Sequence, residues 1–133
     1  ISNGLYMRSM VSALKQEIRD QASVFAVLGD PTRLRLLKLL GRQREPNALC
    51  VNALAHVLGV TQSAVSQHLR VLRAIGLVKG ERRGYHIHYF VNQDMLEKCR
   101  KLTSAALSME ERGEEQSCQE YCLERREQNV SSP

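Results

Sequence analysis

Apolar residues recur at helical spacing along most of this chain, and the spacing changes to alternation in one short stretch past its middle. The helical stretches cover residues 8–28, 31–40, 51–58, 62–75 and 93–111. Two alternating stretches, at residues 77–80 and 85–91, flank a polar tip at residues 81–84. The pattern predicts a mainly α fold with a small β-hairpin.

Local signals mark where several of these helices begin and end. Gly29 ends the first helix, and Asp30 followed by Pro31 begins the second as N-cap and first helical residue. Thr61 is the predicted N-cap of the fourth helix, and Gly76 is its predicted stop. The second helix is apolar on nearly all sides, which predicts burial at the centre of the domain, and a polar loop is expected to follow it at residues 41–47.

The stretch from Val51 to Arg70 is typical of a helix-turn-helix. Ala55 is small enough for close contact between the two helices, Gly59 lies where the chain must bend, and Val65 lies on the inner face of the second helix. The outward side chains of that helix donate and accept hydrogen bonds, which suits base edges in a DNA major groove. The candidate DNA contacts are Gln62, Ser63, Ser66, Gln67 and Arg70, with Thr61 capping the helix.

A hairpin directly after a helix-turn-helix predicts the winged form of that motif. Lys79, Arg82 and Arg83 of the hairpin are candidate contacts to DNA phosphates. The last helix carries an apolar face that nothing C-terminal to it is hydrophobic enough to cover. Together with the first helix it is predicted to form the seam of a homodimer, which suits a palindromic DNA site.

Charge separates the body of the chain from its tail. Residues 1–108 carry sixteen basic and seven acidic side chains, whereas residues 109–133 carry three Arg and seven Glu. A basic body favours a polyanion such as DNA, because neutralised phosphates release their counterions. No long apolar run and no signal peptide is evident, so a soluble, cytoplasmic protein is expected.

These patterns divide the chain into three predicted segments. Residues 1–7 are interpreted as an N-terminal extension such as a cloning remnant, and residues 8–112 as a winged-helix domain that binds DNA and dimerises. Residues 113–133 form an acidic tail that contains cysteine. Four cysteines in such a chain do not indicate a disulfide framework, because the cytosol keeps thiols reduced.

Two stretches resemble the ArsR/SmtB family of metal-responsive winged-helix repressors. They read LGDPTRLRLLKLL at Leu28–Leu40 and LCVNALAHVLGVTQSAVSQHLRVLRAIGLV at Leu49–Val78, and the resemblance extends over about Phe25–Val91. It implies a homodimer that occupies an operator until an inducer binds and lowers its affinity for DNA. His68 falls in the family's S-x-H-L pattern, which implies that it supports the helix or contacts a phosphate.

The family's metalloid box on the third helix, ELCVCDL, is matched only in part. Cys50 corresponds to its first thiolate, whereas Asn52 replaces the second and Ala53 replaces the acid. A soft ion such as As(III) is best held by about three thiolates, so this box is not sufficient alone. The family's zinc-type site on the last helix is also missing, because Asp94 has no His near it.

The tail offers a different thiol pair. Cys118 and Cys122 lie four residues apart and would share one face of a helix, so we interpret them as metal ligands or redox thiols rather than incidental cysteines. Cys50, from the same or the partner subunit, is the first candidate for a third thiolate; its alternative role is a small apolar residue that begins a buried helix. Cys99 lies in the apolar stripe of the last helix, where core packing is favoured over a ligand role.

The prediction is a homodimeric DNA-binding repressor, released when a thiophilic metal or metalloid such as As(III) binds cysteine thiolates. The alternative is the same repressor acting as a thiol/disulfide redox sensor. A structural zinc site is a further alternative, and His86 and His88, expected on one solvated face of the second strand, are a weaker metal candidate. An enzyme is not expected, because no cysteine lies in a Gly-rich anion loop or beside an activating base.

Overall fold

The computed structural model describes residues 3–43 and 49–109 together with Cys118 and Cys122, and for residues 3–7 it describes the backbone alone. The elements in chain order are α1 (Asn3–Leu28), α2 (Pro31–Arg42), α3 (Val51–Leu58), α4 (Gln62–Ala74), β1 (Val78–Arg83), β2 (His86–Val91) and α5 (Gln93–Leu107). The predicted fold class, mainly helical with a β-hairpin wing, is therefore confirmed. None of the described helices is both long enough and apolar enough to cross a membrane.

Side-chain caps fix the start of α2 and of α4. The Asp30 carboxylate accepts a hydrogen bond from the backbone N–H of Arg33 at 3.0 Å, with Pro31 as the first helical residue. The Thr61 hydroxyl oxygen accepts from the N–H of Ala64 at 3.1 Å and caps α4. Each bond satisfies an N–H that the first helical turn leaves without a partner. The capping roles predicted for Asp30 and Thr61 are confirmed.

Three helix ends differ from the pattern. The first helix begins at Asn3, ahead of the predicted start at Arg8, and α2 continues through Gly41 to Arg42. Gly41 is tolerated there because a glycine inside a helix costs only about 1 kcal/mol relative to alanine. The last helix ends at Leu107. The predicted extension to residue 111 is wrong at residues 108 and 109, because Ser108 is the C-cap and its backbone is extended. Residues 110 and 111, most of the loop at 41–47 and the tail at 113–133, apart from its two cysteines, lie outside the described residues.

The wing is longer and its turn is tighter than the alternation indicated. The strands pair antiparallel from Val78 opposite Val91 to Arg83 opposite His86, so most of the predicted tip at 81–84 belongs to β1. Only Gly84 and Tyr85 remain to connect the strands. Gly84 has φ +63°, and glycine is favoured at such a position in two-residue hairpin loops. The sequence pattern does not show this part of the strand, because apolar and polar residues alternate only where one face is buried, and both faces of the tip carry polar residues.

The core lies between α2, α3, α4 and the base of the wing. Its fully buried side chains are Leu36, Leu54, Val65, Leu69, Leu72 and Leu77. The prediction of all-round burial for α2 is wrong in part, because Leu34 is 41% exposed whereas Leu36 and Leu40 are buried. The core is thus aliphatic and has its centre where the two helices of the helix-turn-helix meet.

Helices α1 and α5 pack against each other beside this core. Val24 and Val27 of α1 and Cys99 of α5 are buried. A stripe of large apolar side chains on α1, here called the apolar α1 face, stays exposed in the single chain. Its members are Met10, Val11, Leu14, Ile18 and Phe25.

Candidate nucleic-acid interface and thiol groups

The turn between α3 and α4 is built on a left-handed glycine. Gly59 has φ +67°, which side chains with a Cβ rarely adopt, and it ends α3. The N–H groups of Gly59 and Val60 donate to the carbonyls of His56 and Ala55 at 3.3 and 3.2 Å. Ala55 is buried at this junction, as its small size predicts. The turn therefore directs α4 across α3 without leaving these donors unpaired.

The orientation of α4 separates a buried stripe from a polar face. Val65, Leu69 and Leu72 are buried in the core. The polar face is exposed and consists of the residues predicted to read DNA: Gln62, Ser63, Ser66, Gln67 and Arg70, with the cap Thr61 at its start. Since a helix of this kind fits the major groove of B-DNA, its polar face is available to base edges.

A hydrogen bond between α3 and α4 has no signal in the sequence pattern. The Gln62 side-chain amide donates to the Asn52 side-chain oxygen at 3.0 Å, and both residues are exposed. Asn52 therefore holds the first residue of α4, at the position where the metalloid box carries its second cysteine. No local signal pairs two amides ten residues apart, because the contact depends on the crossing of the helices.

His68 differs from its neighbours on α4 because it is half-buried. The pKa of the Asp30 carboxyl is lowered, chiefly by the hydrogen bond from the Arg33 backbone and to a smaller extent by the electrostatic attraction of His68. His68 thus interacts with the start of α2. This placement favours support of the helix over a phosphate contact.

The basic residues of the wing are not equivalent. Lys79 and Arg82 are exposed. Arg83 is half-buried, its guanidinium lies 3.3 Å from the Glu81 carboxylate, and it stacks 5.0 Å from the centre of the Phe90 ring. The sequence placed Arg82 and Arg83 together at the tip, whereas the structure engages Arg83 within the wing and leaves Arg82 towards solvent.

The four cysteines fall into three environments. Cys50 is half-buried and is the N-cap of α3, where its side chain makes no capping hydrogen bond. Cys99 is only 4% exposed, and burial raises the pKa of its thiol, which disfavours a thiolate ligand there. Cys118 and Cys122 are exposed, with their sulfur atoms 3.6 Å apart. Over the described part of the chain, no three metal-binding side chains come together, so the meeting of Cys50 with the tail pair stays a prediction.

The segment just before α3 is joined to the wing, which the sequence did not indicate. Cys50 forms an isolated antiparallel bridge with His88 of β2, and the N–H of Tyr89 donates to the Leu49 carbonyl at 3.4 Å. The Gln43 side chain connects the same two strands, since its amide N–H donates to the Tyr89 carbonyl and its oxygen accepts from the Leu49 N–H. Residues 49 and 50 therefore act as a short third strand at the edge of the wing.

Comparison with known proteins finds that this chain is similar to transcriptional regulators. A family model described as bacterial regulatory protein, arsR family, matches residues 30–79. A homolog of the transcriptional repressor SmtB from Synechocystis sp. is 44% identical over 73 residues, which are 55% of this chain and 52% of the relative. The chain thus spans about half the length of that relative.

A second relative matches over nearly its whole length. An HTH-type transcriptional regulator of Methanocaldococcus jannaschii is 36% identical over 87 residues, which are 65% of this chain and 94% of that protein. Among solved structures, a crystal structure described as a possible transcriptional regulator for arsenical resistance is 33% identical and superposes with a TM-score of 0.57. That superposition covers 65% of this chain and 86% of the other.

Proposed function

The chain belongs to the ArsR family of winged helix-turn-helix transcriptional regulators, and from this premise we propose that it is a homodimeric repressor released from DNA by a thiophilic inducer. The observation that carries the proposal is the exposed polar face of α4, held by a buried stripe on its other side. The two relatives described above are a repressor homolog and a transcriptional regulator, which supports the same assignment.

Base reading is proposed for Gln62, Ser63, Ser66, Gln67 and Arg70, and phosphate contacts for Lys79, Arg82 and Arg83. Within this set, Arg82 is the stronger wing contact, because the guanidinium of Arg83 already faces Glu81 and Phe90. His68 and Thr61 support the helix from its inner side and its start.

Replacing Arg70 with Ala tests base reading. A bidentate contact to a base predicts a loss of about 1–3 kcal/mol on the preferred operator and a smaller loss on random duplex. Fluorescence anisotropy with a duplex selected from a randomised library gives both affinities. The control is Lys98→Ala, which removes an exposed charge from α5 rather than from α4 or the wing. It should leave the ratio of operator affinity to random-duplex affinity unchanged. Equal losses on both duplexes would assign Arg70 to phosphate only.

Replacing Arg82 with Ala tests the wing separately. Affinity should fall by a similar factor on operator and random DNA, and the dependence of affinity on salt should become shallower, because about one fewer counterion is released. Arg83→Ala is the matched comparison and should have the smaller effect, since its guanidinium interacts with Glu81 within the wing. A larger effect of Arg83→Ala would reverse the assignment of these two residues.

The proposed inducer is a thiophilic metal or metalloid, As(III) among them, bound by Cys50, Cys118 and Cys122. Support comes from the exposure of the tail thiols and from the 3.6 Å between their sulfur atoms, which lets both bind one ion. Operator complexes should be titrated with As(III), Cd(II), Zn(II) and peroxide. The double variant Cys118→Ser, Cys122→Ser should keep operator binding and lose release by the metal. An unchanged response of that variant would contradict the tail as sensor.

The second candidate is a redox sensor, favoured by the same proximity of two exposed thiols. Mild peroxide would then join Cys118 and Cys122 in a disulfide, with loss of two protons and two electrons to the oxidant. Mass spectrometry after oxidation and after reduction distinguishes the two candidates. A reversible mass loss of two hydrogens, together with release of the operator by peroxide, supports the redox sensor. If the mass does not change, the redox sensor is contradicted and the metal sensor is the remaining candidate.

A further inference from the structure

One face of the wing brings together a sulfur and a nitrogen donor. Cys50 and His88 are direct partners in an antiparallel bridge. Side chains of directly opposed residues in such a pair project to the same side, with Cβ atoms about 4.5–5.5 Å apart. Tyr89 and Val91 are buried towards the core, so the alternation of β2 places His88 on the opposite side. The thiol and the imidazole are therefore neighbours on the outer side of the sheet.

Neither side chain has another partner among the residues that the structure describes. Within the described residues, Nδ1 of His88 is buried and has no hydrogen-bond partner. A buried polar atom without a partner is rare in folded proteins and calls for an explanation, such as an ion. Cys50 is a free thiol whose side chain makes no capping bond at the start of α3. The backbone beneath the pair is held by the Tyr89–Leu49 hydrogen bond and by Gln43.

We propose that Cys50 and His88 are two adjacent ligands of one site for a borderline-soft divalent cation, of the class of Zn²⁺, Co²⁺ and Cd²⁺. The other two ligands of this site are Cys118 and Cys122, and for them the site rests on the proposed function. Their sulfur separation of 3.6 Å is close to the edge of about 3.8 Å that a tetrahedral ion with metal–sulfur bonds of about 2.3 Å requires. The full set is three thiolates and one imidazole, a common zinc combination, and each thiol releases its proton to solvent on binding.

The addition of His88 changes the class of inducer. Imidazole is a good ligand for zinc-like ions, whereas As(III) is bound by thiolates alone. His88 therefore strengthens the binding of divalent cations at this site and does not contribute to the binding of As(III). It also joins the inducer to the wing, because Cys50 begins α3 while His88 lies in β2. A cation between them constrains the wing relative to the helix-turn-helix, and this gives the sensor a route to the DNA contacts.

The test is a titration of the full chain with Co²⁺, whose visible absorption bands report tetrahedral coordination, followed by competition with Zn²⁺. His88→Ala should weaken Co²⁺ and Zn²⁺ binding at least about tenfold and reduce those bands. His86→Ala is the matched control, since His86 lies two residues away on the same side of β2 and is exposed. The His86→Ala variant should bind Co²⁺ and Zn²⁺ with the affinity of the unchanged chain. His88→Cys should restore tight binding with a shifted spectrum, which also shows that the position tolerates substitution.

Titration with As(III) provides the second arm. His88→Ala should leave As(III) binding unchanged, and operator binding without metal should match that of the unchanged chain. Equal Co²⁺ affinity in His88→Ala and the unchanged chain would overturn the proposal, as would an equal loss in His86→Ala or a parallel loss of As(III) binding. Cys118→Ser, Cys122→Ser tests the proposed function separately. If the metal still releases the tail variant from the operator but no longer releases His88→Ala, the tail thiols are not ligands and the Cys50–His88 pair is supported. If the metal releases His88→Ala but not the tail variant, the tail thiols are supported and His88 is not a ligand.

Discussion

Helices α4 and α1 are both amphipathic, but the single chain covers the apolar side of only one of them. Leu69, in the middle of the apolar stripe of α4, is 2% exposed, whereas Ile18 on the apolar α1 face is 63% exposed. Apolar surface left in water costs about 25 cal/mol per Å². The apolar stripe of α4 is therefore covered within one chain and its outward face is mainly polar, while the apolar α1 face has no cover among the described residues.

The difference indicates which surface meets which kind of molecule. The polar face of α4 suits a hydrated, charged partner such as DNA. The apolar α1 face, next to α5, suits a second copy of the chain, and two copies would present two α4 helices to two half-sites. Three substitutions test this division of roles, from the largest expected effect to the smallest.

Replacing Ile18 with Asp should have the largest effect, because it puts a charge in the centre of the apolar α1 face. The dimer should dissociate, and operator affinity should fall by about 100- to 10,000-fold as the two half-sites cease to be bound together. Sedimentation velocity and fluorescence anisotropy measure the two effects. Ser12→Asp adds the same charge on an exposed position of α1 outside that face and should change neither. A monomeric unchanged chain, or an Ile18→Asp dimer, would contradict the proposed seam.

Replacing Leu69 with Ala should destabilise the fold itself. Leu69 is fully enclosed on α4, and such cavities cost about 2–5 kcal/mol of the free energy of unfolding. Urea unfolding followed by circular dichroism gives the value. The matched change Leu34→Ala on α2 removes the same atoms from a side chain that is 41% exposed and should cost clearly less. Similar losses in the two variants would mean that α4 is not the centre of the core.

Replacing Thr61 with Ala should have the smallest effect, because it removes one capping hydrogen bond from α4. The expected cost is about 1 kcal/mol of the free energy of unfolding. Thr61→Ser keeps the capping oxygen and should stay close to the unchanged chain in the same urea experiment. If Thr61→Ala lowers operator affinity while stability stays unchanged, Thr61 acts on DNA directly rather than as a cap.

Residues that act through local rules were predictable from the sequence. The caps Asp30 and Thr61 and the turn glycine Gly59 each depend on a few neighbouring residues, and the structure has them where they were expected. The wing tip at residues 81–84 was misplaced because its polar residues carry no alternation once both faces meet solvent. The outward face of α4 followed from its periodicity, since the buried stripe leaves the other side exposed.

Contacts between distant parts of the chain were decided only by the tertiary structure. The Gln62–Asn52 hydrogen bond depends on how α3 and α4 cross, and the bridge between Cys50 and His88 depends on an edge pairing that no period signals. The sequence by itself determined the order of the elements, the exposed polar face of α4 and the family, because period, caps and motif are written in neighbouring residues. The partners of Cys50 and Asn52 were left to the packing, because their contacts arise when separate elements meet.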